Sequence, residues 1–185
     1  MSDISPNRVL VAFGSNLGDR ERAISAALLE LERLSAGYFA CSSWWHSVPT
    51  QMAAGAGQFI NGVVALDTLL APLDLLRALQ RIERDMGRPL NHGVNENRIL
   101  DLDIIWYADR VIELPELVIP HLRALERGFV LMPMWELMPN LMLPGQTRPL
   151  AALIADLPAG SLSRWSAVED RGVRQAWMAR WIKPV

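Results

Sequence analysis

The stretch that decides the fold covers residues 97–107 and reads Asn97-Arg98-Ile99-Leu100-Asp101-Leu102-Asp103-Ile104-Ile105-Trp106-Tyr107. Its apolar and aromatic content predicts a buried β-strand, and alternate residues of a strand face opposite sides of a sheet. Asp101 and Asp103 therefore share one face, opposite Leu100, Leu102 and Ile104. Two like charges repel unless a cation lies between them, and Mg²⁺ typically takes one or two carboxylates together with phosphate oxygens. Two interpretations stay open: the two aspartates form a magnesium-binding site, or they lie on a solvent-exposed strand face.

The composition indicates one soluble globular domain. The 185 residues are 51% hydrophobic and 21% charged, with a net charge of −2 that gives no electrostatic reason to bind nucleic acid or an anionic membrane. Cys41 is the only cysteine, which excludes a disulfide framework and a thiolate zinc site. No apolar run reaches membrane-spanning length, and the first seven residues lack an apolar signal region. We therefore expect a cytoplasmic protein.

Arginine supplies nearly all of the positive charge, because Lys183 is the only lysine. Chemistry that needs a lysine, such as a Schiff base or a P-loop, is therefore excluded from the body of the domain. Any phosphate group must be bound by arginine.

The apolar periodicity predicts an alternating series of strands and helices. The strands are expected at residues 9–13, 38–48, 58–68 and 97–107, a hairpin partner strand at 110–112, and an extended segment at 118–121; helices are expected at 20–34, 71–86, 127–138 and 149–157. The order strand-helix-strand-strand-helix-strand predicts an α+β fold, a ferredoxin-like αβα sandwich whose mixed, mostly antiparallel sheet is flanked by helices.

Three further segments each leave an alternative open. The turn at residues 14–19 is rich in glycine but lacks both phosphate-binding glycine motifs, so it is interpreted as a turn only. Asn61 interrupts an apolar strand face, where it either reads a planar ligand or is a satisfied buried amide. Residues 161–185 are expected to form a C-terminal helical extension packed on a domain of residues 1–160, and a partner-binding helix is the alternative.

Five segments together resemble the 6-hydroxymethyl-7,8-dihydropterin pyrophosphokinase family of folate biosynthesis: residues 9–18, 59–61, 80–88, 98–105 and 120–129. The most specific part is R-x-L-D-L-D-I at 98–104, followed by V-x-P-H at 118–121 and R-G-F at 127–129. The resemblance implies an ATP-dependent pyrophosphokinase (diphosphotransferase) domain at residues 1–160. Such an enzyme transfers pyrophosphate from ATP to the hydroxymethyl oxygen of the pterin and releases AMP.

The resemblance also implies roles for individual residues. It assigns two Mg²⁺ ions to Asp101 and Asp103, and catalytic roles to these two residues with Arg88 and Arg98. Positions matching the family's ATP contacts are Gln80, Glu83, Arg88, Arg98, Ile104, Leu117, His121 and Arg127. Positions matching its pterin contacts are Val48, Thr50, Gln51, Phe59, Asn61 and Phe129. For Gln80 and Glu83 the residues alone favour a solvated helix face, and for Phe59 and Phe129 they favour ordinary core packing.

The loop before the Asp101 strand departs from the family pattern. Many members carry R-W-G-P-R, or a variant ending in P-R, directly before the strand, and a second arginine two residues after the first arginine of the loop. This chain instead has Asn-Glu-Asn at 95–97 before Arg98, and Leu90 stands two residues after Arg88. A lost charge-assisted contact costs about 1.5–3 kcal/mol, or roughly one to two decades in rate. We therefore expect slower turnover than that of loop-intact relatives, and equal turnover under matched conditions would contradict this expectation.

Two other classes of function stay open. The chain could be a diverged pterin- or nucleotide-binding paralogue with weak or no transferase activity, although a pure binder has little use for paired carboxylates. The tail, which carries Val173, Trp177 and Trp181 at four-residue spacing, could instead make it an interaction module or a subunit of a folate assembly. The expected partners are ATP and a dihydropterin, without nucleic acid or membrane, and the expected state is a monomer.

Overall fold

The computed structural model describes residues 5–47, 57–88 and 97–157, and the backbone of 162–164. The elements in chain order are β1 (Asn7–Ser15), α1 (Arg20–Arg33), β2 (Phe39–Cys41), β3 (Trp45–Ser47), β4 (Phe59–Thr68), α2 (Pro72–Asp85), β5 (Asp101–Tyr107), β6 (Ile112–Leu114), β7 (Leu117–Ile119), a 3-10 turn (Ala124–Glu126), α3 (Gly128–Leu137), α4 (Leu150–Ala155) and β8 (Leu162–Arg164).

The central sheet has the order β5-β1-β4-β3-β8, with β2 also paired to β4. Every strand pair in the described ranges is antiparallel. Two strand-helix-strand units therefore interleave, so that β1 and β4 lie in the middle of the sheet and β5 lies at its edge. This arrangement confirms the predicted α+β, ferredoxin-like fold.

Helices cover both faces of the sheet because the strands alternate apolar side chains between the two sides. Val9, Val11 and Phe13 of β1 pack with α1 and α2 in one core cluster. Leu10 packs on the opposite face with residues of α3 and α4 in a second cluster. The resulting αβα sandwich leaves the carboxyl-terminal end of β1 between the two layers of helices.

The single strand predicted for residues 38–48 is divided into β2 and β3. Cys41 pairs with Val64 and Trp45 pairs with Asn61, so the first strand holds one residue more than its partner over this interval. The Ser42 hydroxyl accepts a hydrogen bond from Val63 N at 3.0 Å. This side chain replaces a backbone acceptor, and the bulge that results interrupts the strand.

The predicted pairing of residues 110–112 with β5 is wrong. β6 begins at Ile112 and pairs instead with β7, in a separate two-stranded sheet. Only Pro115 and Glu116 separate the two strands, so β6 and β7 form a tight two-residue hairpin of their own.

The sequence does not predict β8, whose residues 162–164 extend the sheet by pairing with β3. The remainder of the expected helical extension, including Val173, Trp177 and Trp181, lies outside the described residues. Within the described ranges, no helix has the length and apolar content needed to cross a bilayer.

Candidate functional site

Three neighbouring strands bring a glycine, an amide and a carboxylate into one row. Gly14 of β1 pairs with Asn61 of β4 on one side and with Asp101 of β5 on the other. Paired residues of an antiparallel sheet project to the same face, here the face that α3 covers further along the strands. Asp103 follows on the same face of β5, opposite Ala12. The prediction that Asp101 and Asp103 share one face of the strand is therefore confirmed.

Two arginines neutralise Asp101. Its Oδ1 atom lies 2.8 Å from an Arg98 guanidinium nitrogen and 3.2 Å from an Arg88 guanidinium nitrogen. Arg88 also forms an ion pair with Glu83. The end of α2 and the start of β5 are thus joined by a continuous chain of alternating charge, and the predicted catalytic residues Arg88, Arg98 and Asp101 lie together.

Glu83 is buried, so the solvated helix face expected for it from the residues alone is wrong. Its residue is 5% exposed, and its Oε1 atom accepts the Leu102 N–H at 2.8 Å. Burial raises the pKa of Glu83, while the Leu102 hydrogen bond and Arg88 oppose that rise. The Glu83 carboxylate of α2 therefore accepts a hydrogen bond from the backbone of the edge strand β5 and forms an ion pair with Arg88 at the same time.

The Asp103 carboxyl has no direct partner among the described residues, although Arg127 and Arg98 interact with it electrostatically. Across residues 5–47, 57–88 and 97–157, its carboxylate accepts no hydrogen bond and forms no ion pair. Burial, with the charges of Asp101 and Glu83, raises the pKa of Asp103 to about 7. In the same ranges, no group of three or more His, Cys, Asp or Glu side chains is arranged so that it could hold a metal ion by itself. A divalent cation here would need oxygen ligands from a substrate, as Mg²⁺ in phosphate sites does.

The raised pKa of Asp103 predicts a pH-dependent stability in protein freed of divalent cations. Because the folded pKa of about 7 exceeds the ordinary 3.8, the folded state retains a proton that the unfolded state loses between these values. The free energy of unfolding should therefore fall as pH rises from about 4 to about 7. Urea unfolding in chelator should show this fall, and Asp103→Asn should reduce it; an identical pH profile in that variant would contradict the assignment.

Asn16 positions Arg98, a role that the sequence does not predict. The Asn16 Oδ1 atom accepts the Arg98 N–H at 2.8 Å, and Asn16 N donates to the Arg98 carbonyl at 3.1 Å. The Asn16 amide also donates to Asn97 Oδ1 at 2.7 Å. The turn after β1 is thus tied to the segment that enters β5. A polar amide in a glycine-rich turn is the only sequence signal for this contact.

His121 and Arg127 approach the carboxylates from the other side of β5. His121 N donates to the Ile105 carbonyl at 3.0 Å, and its Nδ1 atom accepts the Arg123 N–H at 3.2 Å. Burial and Arg127 lower the pKa of His121, so its ring is neutral and its Nε2–H is left as a donor. Arg127, half-buried at the start of α3, interacts electrostatically with Asp103 and Asp101.

Three of the six predicted pterin contacts, Phe59, Asn61 and Phe129, lie in the described residues. Phe59 is two residues earlier on the same face of β4, and Phe129 lies at the start of α3, where it packs against the second core cluster. Asn61 is 5% exposed, and its Nδ2 atom donates to Ser47 Oγ at 2.9 Å. The predicted contacts Val48, Thr50 and Gln51 lie outside the described residues.

The remaining predicted nucleotide contacts are Gln80, Ile104 and Leu117, which belong to α2, β5 and β7. Gln80 is exposed on α2, one turn before Glu83. Ile104 belongs to the edge strand β5, and Leu117 begins β7, which lies against β5. The loop residues Leu90 and Glu96 are outside the described ranges.

Comparisons with known proteins show which family this chain resembles over most of its length. The family model for 7,8-dihydro-6-hydroxymethylpterin-pyrophosphokinase (HPPK) matches residues 10–139. A 2-amino-4-hydroxy-6-hydroxymethyldihydropteridine pyrophosphokinase from Pseudomonas aeruginosa is 43% identical over 159 residues, covering 85% of this chain and 96% of the relative. The Folic acid synthesis protein fol1 of Schizosaccharomyces pombe is 34% identical over 163 residues, covering 88% of this chain but only 22% of that protein.

Solved structures show the same fold at low sequence identity. The crystal structure of Plasmodium falciparum HPPK-DHPS with pteroate superposes with a TM-score of 0.67 at 13% identity, covering 83% of this chain and 45% of that chain. This chain therefore spans less than half of that protein's length.

Proposed function

Because this chain belongs to the 7,8-dihydro-6-hydroxymethylpterin-pyrophosphokinase family, we propose that the row of Asn61, Gly14 and Asp101 is the floor of its active site. The chain is a pyrophosphokinase of folate biosynthesis, which transfers pyrophosphate from ATP to the hydroxymethyl oxygen of 6-hydroxymethyl-7,8-dihydropterin and releases AMP. The single observation that supports the location is the Asp101–Asp103 pair, with arginines around it and the buried amide of Asn61 two strands away.

The transfer needs no nucleophile from the protein. The hydroxymethyl oxygen of the pterin attacks the β-phosphorus, the bond from that phosphorus to the α,β-bridging oxygen breaks, and AMP leaves. The protein has to align the two substrates and offset the charge of the triphosphate. An aspartate of the pair would help to take the proton of the attacking hydroxyl.

Asp101 and Asp103 would hold two Mg²⁺ ions, which supply charge neutralisation at the phosphates and lower the pKa of the attacking hydroxyl. The raised pKa of Asp103, caused by burial and by the charges of Asp101 and Glu83, supports this assignment, because a cation there would relieve the repulsion between the carboxylates. Arg88 and Arg98, now paired with Asp101, would then be available to the phosphate oxygens.

The other nucleotide contacts follow from the groups that face this site. Arg127 supplies a further guanidinium, and His121 supplies a neutral Nε2–H donor. Gln80 and Glu83 lie on the ATP side of α2, and the backbone at Ile104 and Leu117 would meet the adenine. On the pterin side, Phe59 and Phe129 stack on the ring and Asn61 reads its edge, with Val48, Thr50 and Gln51 as additional contacts.

We also propose that the protein acts as a monomer in the cytoplasm, without nucleic acid or membrane partners. The net charge of −2 supports the absence of polyanionic partners. The pairing of β8 with β3 supports the division into a pyrophosphokinase domain at 1–160 and an extension at 161–185 that packs on it.

AMP formation tests the proposed function. Purified protein with Mg²⁺, ATP and 6-hydroxymethyl-7,8-dihydropterin should release one AMP per diphosphorylated pterin, and omission of the pterin should abolish release. Asp109→Asn, which removes an exposed carboxylate just beyond β5, should behave like the wild type. Saturable pterin binding without AMP release would instead identify a binding paralogue.

Ser47 should act as a positioning residue for Asn61. Ser47→Ala removes the hydroxyl that accepts the Asn61 Nδ2–H at 2.9 Å, in a site where Ser47 is 6% exposed. A lost hydrogen bond of this kind costs about 1 kcal/mol, so the KM for pterin should rise about fivefold with kcat little changed. Ser47→Thr retains the hydroxyl and should restore the KM; equal KM values in the alanine variant and the wild type would contradict this role.

A further inference from the structure

The backbone does not require glycine at position 14. Gly14 is absent from the glycines with positive φ, which among the described residues are Gly18, Gly37, Gly87 and Gly145. A glycine inside a strand normally weakens the strand, because it loses more conformational entropy on folding than other residues and has no side chain to pack. We therefore look for the reason for a glycine in the side chains that surround the position of its missing Cβ atom.

The space above Gly14 meets two side chains assigned to the pterin. A Cβ added at Gly14 would lie 3.1 Å from Asn61 Oδ1 and 3.7 Å from Phe59 Cδ1, and no other atom of residues 5–47, 57–88 and 97–157 beyond its chain neighbours would lie within 4 Å. At the neighbouring Gly62, an added Cβ would lie 2.3 Å from Phe13 Cζ in the core. Gly62 is thus a glycine that the fold requires, whereas a side chain at Gly14 would press on groups assigned to the pterin.

Gly14 also lies midway between the two ends of the proposed site. Adjacent strands are about 4.8 Å apart, so the backbones of Asn61 and Asp101 are separated by about 10 Å across Gly14. A flat bicyclic ring that reaches from the amide to the carboxylate has to lie over this position. Because Asn61 Nδ2 donates to Ser47, its Oδ1 atom is the group directed over Gly14, as an acceptor for a ligand N–H.

We propose that Gly14 is a specificity-determining residue for the pterin, because its missing side chain leaves a pterin slot, defined as the space above Gly14 between Asn61, Phe59 and Asp101. This inference rests on the proposed function of the same site. Any side chain at position 14 fills the slot and excludes a ring from lying flat between the amide and the carboxylate. ATP, which meets the site from the far side of Asp101, does not depend on the slot.

The test compares Gly14→Ala with Gly62→Ala in the full chain, after pterin-dependent AMP release by the wild type has been established. If the wild type releases no AMP, the proposed function fails independently of Gly14. For Gly14→Ala we expect a thermal midpoint within about 3 °C of wild type, an unchanged KM for ATP, and a KM for pterin raised about tenfold or more, the cost of overpacking by one methyl group. Gly62→Ala should instead lower the midpoint markedly.

A second comparison separates filling of the slot from displacement of the amide. In an Asn61→Ala background, Gly14→Ala should still raise the KM for pterin severalfold, since the added methyl group still occupies the slot. Three results would overturn the proposal: a KM for pterin unchanged in Gly14→Ala, a fold lost as in Gly62→Ala, or no further effect in the Asn61→Ala background.

Discussion

Asp101→Asn should lower kcat/KM for AMP formation by about 10³-fold. The asparagine keeps the size of the side chain but removes the charge that Arg88 and Arg98 both contact and that is proposed to hold Mg²⁺. Loss of a charge that stabilises the transferring phosphoryl group costs up to about 4 kcal/mol, which corresponds to that factor. Initial rates at several Mg²⁺ concentrations should show that excess Mg²⁺ does not restore the wild-type rate.

The matched control for this variant is Asp109→Asn, which removes an exposed carboxylate two residues beyond β5. It should retain the wild-type rate and Mg²⁺ dependence. The thermal midpoint of both variants should stay close to that of the wild type, because Arg88 keeps its ion pair with Glu83 when Asp101 is neutralised. An Asp101→Asn enzyme within tenfold of the wild type would exclude this carboxylate from the metal site.

Glu83→Ala should have the largest effect on stability. It leaves the Leu102 N–H of β5 without its acceptor and removes the buried partner of Arg88. An unsatisfied buried donor costs about 1–3 kcal/mol, and a broken buried ion pair costs about as much again or more. We expect the free energy of unfolding to fall by about 3 kcal/mol, measured by urea denaturation, and the KM for ATP to rise.

Two further variants of α2 separate the two functions of Glu83. Glu83→Gln retains a carbonyl oxygen for Leu102 N but no charge for Arg88, so it should recover most of the stability and little of the ATP affinity. Asp85→Ala, which removes an exposed carboxylate from the same helix, should change neither quantity. A Glu83→Ala protein as stable as the wild type would contradict the buried network.

Local alternation was sufficient to predict the core of the site. The period of two in residues 97–107 places Asp101 and Asp103 on one face, and the same period in β4 directs Asn61 away from Ile60 and Val64. The order of elements likewise predicts the ferredoxin-like sheet, because each strand carries its own apolar pattern.

Contacts between distant segments could not be predicted in this way. The burial of Glu83 depends on its hydrogen bond to the edge strand β5. The position of Arg98 depends on Asn16, which lies 82 residues away along the chain. The partner of β6 depends on a competition between two hairpins, which local apolar content does not decide. The proposed role of Gly14 could not be predicted from local sequence, since it arises from the Asn61 and Phe59 side chains of β4, more than forty residues further along the chain.

The most direct measurement is a crystal structure of the protein with Mg²⁺, an ATP analogue whose α,β-bridging oxygen is replaced by methylene, and the dihydropterin. We expect two metal ions bound by Asp101 and Asp103 and by phosphate oxygens, with the pterin lying over Gly14 and its hydroxymethyl oxygen in line with the β-phosphorus. A complex in which the phosphates bind elsewhere, while Asp101 remains paired with Arg88 and Arg98, would contradict the assignment of this site.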